Sequence, residues 1–192
     1  MNVMLASSSK WRASLLEEAG IPCESVKPDV EESEIVGKNP IDTARMRAEA
    51  KAQFVAAIHP ERLVLGADQV IHLDGEAIGK PEDDVDWLAR LQQLRGRVHL
   101  LTTAVALIQG GQVELFHVDT QVRFRADLTD EELRAYVEHG EARGCAGGYM
   151  IEKRGAWLVE SIDGDWLNVV GLPVLHLIGR LRARGWRFPE VK

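Results

Sequence analysis

The sequence predicts an α/β fold with a mixed, twisted sheet flanked by helices around a central cleft. Strand-like apolar runs and segments of helical spacing are interspersed along the 192 residues, without strict β-α-β alternation. A hydrophobic content of 45% is sufficient for a sizeable core. Because no repeat, low-complexity tract or linker interrupts the chain, we expect a single domain over residues 1–192, with two lobes around the cleft.

Strand and helix patterns follow one another in the first third of the chain. Residues 2–6 form a short apolar run that ends in three serines, and apolar positions then recur at helical spacing from Lys10 to Gly20. Pro40 opens a second helical pattern, which ends near Pro60. This order predicts a strand, a serine loop and two helices.

The middle of the chain has mainly β character. Residues 62–73 are followed by Asp74-Gly75, a strong turn signal that predicts a hairpin. A helix is expected over residues 83–94. Two strands over residues 98–108 and 113–124 are expected to pair, because only a glycine turn separates them.

The last third begins with a helix signal. Thr129 and Glu132 form a capping box, and a glycine-rich segment extends from the end of this helix to Gly148. Residues 156–162 predict another strand, and Pro173 opens the last helix. The residues expected to face inward from that helix are Leu175, Ile178 and Leu181.

Charge and composition exclude several classes of protein. The net charge of −7 and pI of about 5.4 argue against a surface for nucleic acid, which is bound mainly through basic patches. The sequence contains no signal-peptide pattern and no apolar run near the ~20 residues that span a bilayer. The two cysteines fit a reducing compartment. We therefore expect a cytoplasmic protein without nucleic-acid or membrane partners.

A cluster of three serines lies where the first strand ends and the first helix begins. Free amides at a helix N-terminus, the hydroxyls of Ser7, Ser8 and Ser9, and the guanidinium of Arg12 together can bind an anion. The alternative is that Ser9 only caps the helix and Arg12 is solvated.

Asp68 interrupts an apolar, β-rich segment. A carboxylate in such a position is costly unless it is paired, hydrogen-bonded or bound to a metal. A β-bulge or a strand-end hydrogen bond is the simpler explanation.

The isolated lysines Lys51 and Lys80 could supply positive charge for a phosphate chain in this acidic protein. Lys51 borders the apolar stripe of the second helix, so it could equally extend to solvent. Glu32 ends an acidic run that could bind a divalent cation, although such a run is more often solvated surface.

Several short motifs in order along the whole chain resemble the Maf family. They are Leu5-Ala6-Ser7-Ser8-Ser9 with Arg12, Pro28-Asp29-Val30-Glu31-Glu32, Ala50-Lys51-Ala52, Gly66-Ala67-Asp68-Gln69-Val70, Asp74-Gly75-Glu76, Gly79-Lys80-Pro81, Ala146-Gly147 and Asn168-Val169-Val170-Gly171-Leu172-Pro173.

This resemblance implies a fold related to the inosine triphosphate pyrophosphatases and hydrolysis of a nucleoside triphosphate between its α and β phosphates. Asp68 would be the acid/base residue, and Arg12, Lys51 and Lys80 would stabilise negative charge. A divalent cation, Mg²⁺ or Mn²⁺, would be bound by Glu32 and Asp68.

Departures from the common family pattern resemble the subgroup that acts on 7-methyl-GTP. They are Trp11, Gln69 and Glu152, together with Cys145. Physical chemistry supports this reading, because a methylated, cationic guanine stacks favourably on an indole and Glu152 could accept two N–H donors of the guanine edge. Gln69 could add an amide contact. The alternative for Trp11 is burial in the helix core.

Two other functions remain open at this point. One keeps the chemistry and changes the substrate to dTTP, UTP or CTP, and the other is a nucleotide-binding regulator of septum formation and cell division. The expected partner is a small-molecule nucleotide, and a homodimer is left open.

Overall fold

The computed structural model describes residues 2–188, in which seven strands form one sheet. The strands are β1 (Val3–Ala6), β2 (Cys23–Val26), β3 (Leu63–Leu73), β4 (Glu76–Ile78), β5 (Val98–Gln109), β6 (Gln112–Phe124) and β7 (Val159–Asp163). The helices are α1 (Lys10–Glu18), α2 (Pro40–Ile58), α3 (Asp84–Leu94), α4 (Asp130–His139), α5 (Trp166–Val170) and α6 (Val174–Ala183). The predicted α/β class is confirmed.

The sheet is mixed, as the sequence predicts. Its order is β2-β1-β3-β5-β6-β7, and β4 pairs with the far end of β3. β1 is parallel to both neighbours, and the remaining pairs are antiparallel. The parallel pairs need crossovers, which α1 and α2 supply, whereas the antiparallel pairs need only turns. Ala6 lies beside Gly66, so the serine loop begins next to the segment that contains Asp68.

Three buried clusters cover the sheet. Alternate residues of β1 face α2 on one side and the α1 and α6 helices on the other. The third cluster joins α3 and α4 to the far ends of β3, β5 and β6. Gly66 allows α2 to lie close to β3, because a Cβ at that position would overlap the carbonyl oxygen of Ala48. This close packing fixes the positions of side chains that the two elements contribute to the cleft.

Two predictions about the C-terminal third are wrong. Residues 154–158 form a 3₁₀ helix, so the strand begins at Val159 and not at Ala156. Leu175 is 65% exposed, because α6 buries the face that carries Val174 and Leu177, and Leu175 points away from that face. The other predicted inward residues of α6 pack against the core.

Two elements escaped prediction for simple reasons. β2 is a half-exposed edge strand with polar residues, and α5 is only five residues long, too short for a periodic pattern. Among the described helices, none combines the length and the apolar composition that crossing a bilayer requires.

Candidate active site

A cleft of about 960 Å³ opens beside the serine loop and the middle of β3. Its volume lies within the range of roughly 300–1,000 Å³ that is typical of ligand pockets. The residues predicted for the site all line this cleft: Ser7, Ser8, Ser9, Trp11, Arg12, Glu32, Lys51, Asp68, Gln69, Lys80 and Glu152. Residues far apart in sequence are thus brought together, while their chemical roles stay predictions.

An ion-pair triplet, Glu32, Lys51 and Asp68, lies on one wall of the cleft. Lys51 is buried, and its Nζ atom lies 2.7 Å from Oδ1 of Asp68 and 2.7 Å from Oε2 of Glu32. Lys51 therefore does not extend to solvent, and Asp68 is paired across to a neighbouring helix. The alternative that Lys51 extends to solvent is therefore wrong. The alternative that Asp68 only forms a strand-end hydrogen bond is wrong as well.

Burial and neighbouring charge set the protonation of the two carboxyl groups. Burial raises the pKa of Asp68, although the charges of Lys51 and Arg12 oppose this effect, and Glu32 adds to it. Burial alone would also raise the pKa of Glu32. Its hydrogen bond to Lys51 and the cations around it outweigh this effect, so the pKa of Glu32 is lowered overall. Among residues 2–188, none gives a hydrogen bond to the buried Oδ2 atom of Asp68. A carboxylate oxygen of this kind is free to accept a proton or a cation.

The serine loop has a structural role at the start of α1. The hydroxyl of Ser9 caps α1 by accepting from the amide of Arg12 at 3.4 Å, and the amide of Ser9 donates to the hydroxyl of Ser7 at 3.1 Å. The capping role proposed for Ser9 is therefore confirmed. Ser8 is exposed, and it faces the cleft with the other two serines.

Arg12 is held by the main chain and is not simply solvated. Its Nε atom donates to the carbonyl oxygen of Gly171 at 3.1 Å, and its Nη1 atom donates to that of Ala67 at 2.9 Å. Neither bond uses Nη2, so one edge of the guanidinium is still available to an anion. Arg12 thereby connects α1 with the strand residue before Asp68 and with the turn before α6.

Trp11, Gln69 and Glu152 also line the cleft. Trp11 is 45% exposed, so its burial in the helix core is ruled out. Nε2 of Gln69 donates to the hydroxyl of Thr103 at 3.0 Å and to the carbonyl oxygen of Asn168 at 2.6 Å. This arrangement leaves the amide oxygen of Gln69 as the group that can contact a ligand.

Charged residues of the glycine-rich segment lie close to Trp11. The Nζ atom of Lys153 lies 5.3 Å from the centre of the Trp11 ring, a cation–π contact. Burial raises the pKa of the Cys145 thiol, and the charge of Glu152 adds to this, whereas Lys80 and Lys153 oppose it. Cys145 therefore lies within electrostatic range of the exposed Glu152 and of the two lysines.

Sequence reasoning missed two basic residues. Arg47 lines the cleft and contributes to the low pKa of Glu32. It precedes Lys51 by one helical turn, and this i, i+4 spacing could have revealed it. Lys153 is the second, and nothing in its sequence context distinguishes it from a surface lysine.

The oxygen atoms of Glu32 and Asp68 match the preference of Mg²⁺ and Mn²⁺ for oxygen ligands. Within residues 2–188, no group of three or more histidine, cysteine, aspartate or glutamate side chains has the arrangement of a metal site. A cation at Glu32 and Asp68 would thus keep most of its coordination for water and substrate phosphate, as Mg²⁺ usually does.

Comparison with known proteins identifies the family. Residues 2–184 match the family described as Maf-like protein. The chain belongs to the Maf family. A dTTP/UTP pyrophosphatase of Nitratidesulfovibrio vulgaris is 46% identical over 95% of this chain and 88% of that protein. A 7-methyl-GTP pyrophosphatase of Aromatoleum aromaticum is 40% identical over 97% of each chain. The Maf resemblance predicted from the motifs is thus confirmed.

The fold of this Maf chain also resembles a solved structure with little sequence similarity. The HAM1 protein from Coxiella burnetii superposes with a TM-score of 0.53 at 15% identity, over 95% of this chain and 99% of that one. At this level of identity the likeness concerns the fold alone.

Proposed function

We propose that this chain, a nucleoside triphosphate pyrophosphatase of the Maf family, prefers 7-methyl-GTP and converts it to 7-methyl-GMP and pyrophosphate. The observation that carries the proposal is the composition of one cleft, which is lined by the Glu32–Lys51–Asp68 triplet and also by an exposed indole, Trp11, and a carboxylate, Glu152. The triplet suits phosphate chemistry, and the indole and the carboxylate suit a cationic purine.

Asp68 is proposed to act as the general base. Lys51 holds Oδ1, which leaves the buried Oδ2 atom to take a proton from a water that attacks the α-phosphorus. The bond between the α-phosphorus and the bridging oxygen breaks, and pyrophosphate leaves with that oxygen. The raised pKa of Asp68 makes it a stronger base than an exposed aspartate.

Cations around the phosphate chain stabilise the charge that develops as pyrophosphate leaves. Lys51 and the free edge of Arg12 approach from the wall that holds Asp68, and Lys80 lines the cleft from the turn after β4. The serine hydroxyls at the start of α1 add donors to a phosphate oxygen.

Glu32 and Asp68 would hold a divalent cation, Mg²⁺ or Mn²⁺. The half-exposed carboxylate of Glu32 supports this assignment, and Asp68 would contribute through the oxygen that does not accept the proton of the attacking water. When bound, the cation would neutralise phosphate charge and polarise the phosphorus–oxygen bonds.

Trp11, Gln69 and Glu152 are proposed to recognise the base. A methylated guanine carries a positive charge, and a cation stacks favourably on an indole as exposed as that of Trp11. Glu152 can accept the two N–H groups of the guanine edge, which uracil and thymine do not offer. The amide oxygen of Gln69 can accept one further N–H group, because its Nε2 atom is occupied.

A second candidate, a preference for dTTP or UTP, is favoured by two observations. The relative with 46% identity carries that name, and the ammonium of Lys153 at Trp11 repels a cationic base. The proposals differ in the base only, since both require the same chemistry at the α-phosphorus.

Pyrophosphate release by the purified protein, with Mg²⁺ or Mn²⁺ and with 7-methyl-GTP, GTP, dTTP, UTP or CTP, tests the proposal. We expect the largest kcat/KM for 7-methyl-GTP. A preference for pyrimidine triphosphates would support the second candidate and remove the role given to Trp11 and Glu152. Release that is unaffected by a chelator would contradict the cation site.

A further inference from the structure

The recognition loop, which we define as residues Cys145–Glu152, carries Glu152 into the cleft. Gly147 and Gly148 both have left-handed backbone conformations, with φ of 72° and 70°. A Cβ at Gly147 would overlap Cδ1 of Ile71, and one at Gly148 would overlap the indole of Trp87. The loop backbone therefore lies directly on side chains of the core, without room for movement toward them.

Three side chains hold this loop by hydrogen bonds from beneath. Nε1 of Trp87 donates to the carbonyl oxygen of Gly148 at 2.6 Å. The amide of Met150 donates to the hydroxyl of Tyr136 at 3.0 Å. Each of these bonds is buried and comes from a separate helix, α3 or α4.

The third bond comes from the sheet. Nε2 of His99 on β5 is 2.7 Å from the hydroxyl of Tyr149, and both side chains are buried. Burial lowers the pKa of His99 to about 4 and raises the pKa of Tyr149. Both groups are therefore neutral near physiological pH, which keeps this bond uncharged.

Trp87, Tyr136 and His99, which we call the three anchors, belong to a layer of packed aromatic rings. The rings of Trp87 and Tyr136 meet edge to face with centroids 6.2 Å apart. His99, Phe124 and Tyr149 meet one another in the same manner at 5.0 to 5.5 Å. None of Trp87, Tyr136 and His99 is among the residues that line the cleft.

We infer that Trp87, Tyr136 and His99 are positioning residues that fix the recognition loop, so that Glu152 meets the base in one orientation and the enzyme can select among bases. The inference rests on the proposed function, because it assigns base recognition to this loop. Met150 is only two residues from Glu152, so a displacement of its amide passes directly to the recognising carboxylate. The Glu32–Lys51–Asp68 triplet lies outside this layer, and the reaction at the α-phosphorus should not depend on it.

Removal of the anchoring hydrogen-bond groups tests the inference. Tyr136→Phe deletes one hydroxyl and keeps the ring, and Trp87→Phe replaces the buried indole by a smaller phenyl ring and so removes its N–H group together with ring volume. Thr102→Val is the matched control, because the buried Thr102 hydroxyl bonds to His72 at 2.9 Å and to Asp119 at 2.5 Å, and not to the loop. Steady-state kinetics over the panel of five triphosphates, with melting temperatures, are measured for each variant and for the wild-type enzyme.

The selectivity ratio is kcat/KM for the best nucleotide divided by kcat/KM for the next. We expect this ratio to fall about tenfold in Tyr136→Phe and Trp87→Phe, equivalent to about 1.4 kcal/mol, mainly through a higher KM for the best nucleotide. Thr102→Val should lower the melting temperature and leave the ratio unchanged.

Two results would overturn the inference. One is a wild-type ratio in both anchor variants, and the other is an equal fall in Thr102→Val, which would reduce the anchors to ordinary core residues. A wild-type enzyme that does not discriminate among bases would instead overturn the proposed substrate preference, and the inference with it. The wild-type panel therefore separates failure of the proposed function from failure of the inference.

Discussion

Two parts of the site, the proposed catalytic side (Glu32, Lys51 and Asp68) and the proposed recognition side (Cys145–Glu152), are held in place by different interactions. On the catalytic side, the three residues are joined by ion pairs of 2.7 Å, so a change in one charge alters the protonation of the others. On the recognition side, the loop is held by neutral hydrogen bonds from the core. We therefore expect that reactivity and base selection can be changed separately, because the proposed base depends on charge and the proposed recognition depends on position.

Asp68→Asn should give the largest effect, since it removes the base from the catalytic side. Activity is expected to fall by roughly 10²–10⁴-fold, the usual contribution of a general base. The amide can still accept from Lys51, so the melting temperature should stay near that of the wild type. Pyrophosphate release and a thermal melt measure the two quantities.

Asp127→Asn is the control for that substitution, because Asp127 is exposed and pairs with Arg125 away from the cleft. The residual activity of Asp68→Asn should show the same selectivity among nucleotide bases as the wild-type enzyme. If Asp68→Asn kept most of its activity, the role given to Asp68 would be refuted and the contrast between the two sides would lose its chemical basis.

The same contrast explains how much the sequence could predict. Asp68 was recognisable because a carboxylate in an apolar strand needs a partner, and Lys51 because it borders a helical stripe. All the predicted residues do line one cleft. The anchors beneath the recognition loop were not recognisable, since Trp87, Tyr136 and His99 look like ordinary core residues in the sequence. Their function depends on contacts between elements that only the tertiary structure brings together.

Regular elements with clear end signals were also predicted well. Asp74 and Gly75 do form the turn between β3 and β4, both with positive φ, and Thr129 does form a capping box with Glu132. The strand predicted from Ala156 was wrong. A 3₁₀ helix begins at Arg154, and Gly155 within it packs against the carbonyl of Met150, a contact that the strand-like pattern of the sequence does not reveal.

Glu152→Gln tests the recognition side by a change of charge without a change of shape. The ratio of kcat/KM for 7-methyl-GTP to that for UTP should fall about tenfold, because a hydrogen bond to a charged group contributes roughly 1.5–3 kcal/mol. Glu160→Gln, at an exposed glutamate outside the cleft, is the control. An unchanged ratio would mean that Glu152 does not contact the base.

Lys153→Ala should sharpen the comparison with a smaller effect. Its ammonium lies on the face of Trp11, where it competes with a cationic base and repels it. We expect KM for 7-methyl-GTP to fall about two- to fivefold, which corresponds to about 0.5–1 kcal/mol, and KM for GTP to change less. Lys38→Ala serves as the control at an exposed lysine outside the cleft. A higher KM for every nucleotide would instead indicate that Lys153 binds phosphate.

The smallest of these effects should be the shift that Glu32→Gln causes in the pH profile of kcat/KM. Asp68 accepts a proton only when ionised, so activity is lost as the pH falls through its raised pKa. Among the influences on the pKa of Asp68, the negative charge of Glu32 is the weakest, and it raises that pKa. Its removal also leaves Lys51 to pair with Asp68 alone, which lowers the pKa further.

The acid limb of the profile should therefore move to lower pH in Glu32→Gln. The height of the profile is separate, because loss of a cation ligand lowers activity at all pH values. Rates measured at saturating Mg²⁺ across the acid limb distinguish the two effects, with Glu160→Gln expected to keep the wild-type profile. An acid limb that stayed in place or moved upward would show that Asp68 is not the titrating base, and that the charge coupling of the catalytic side does not govern its reactivity.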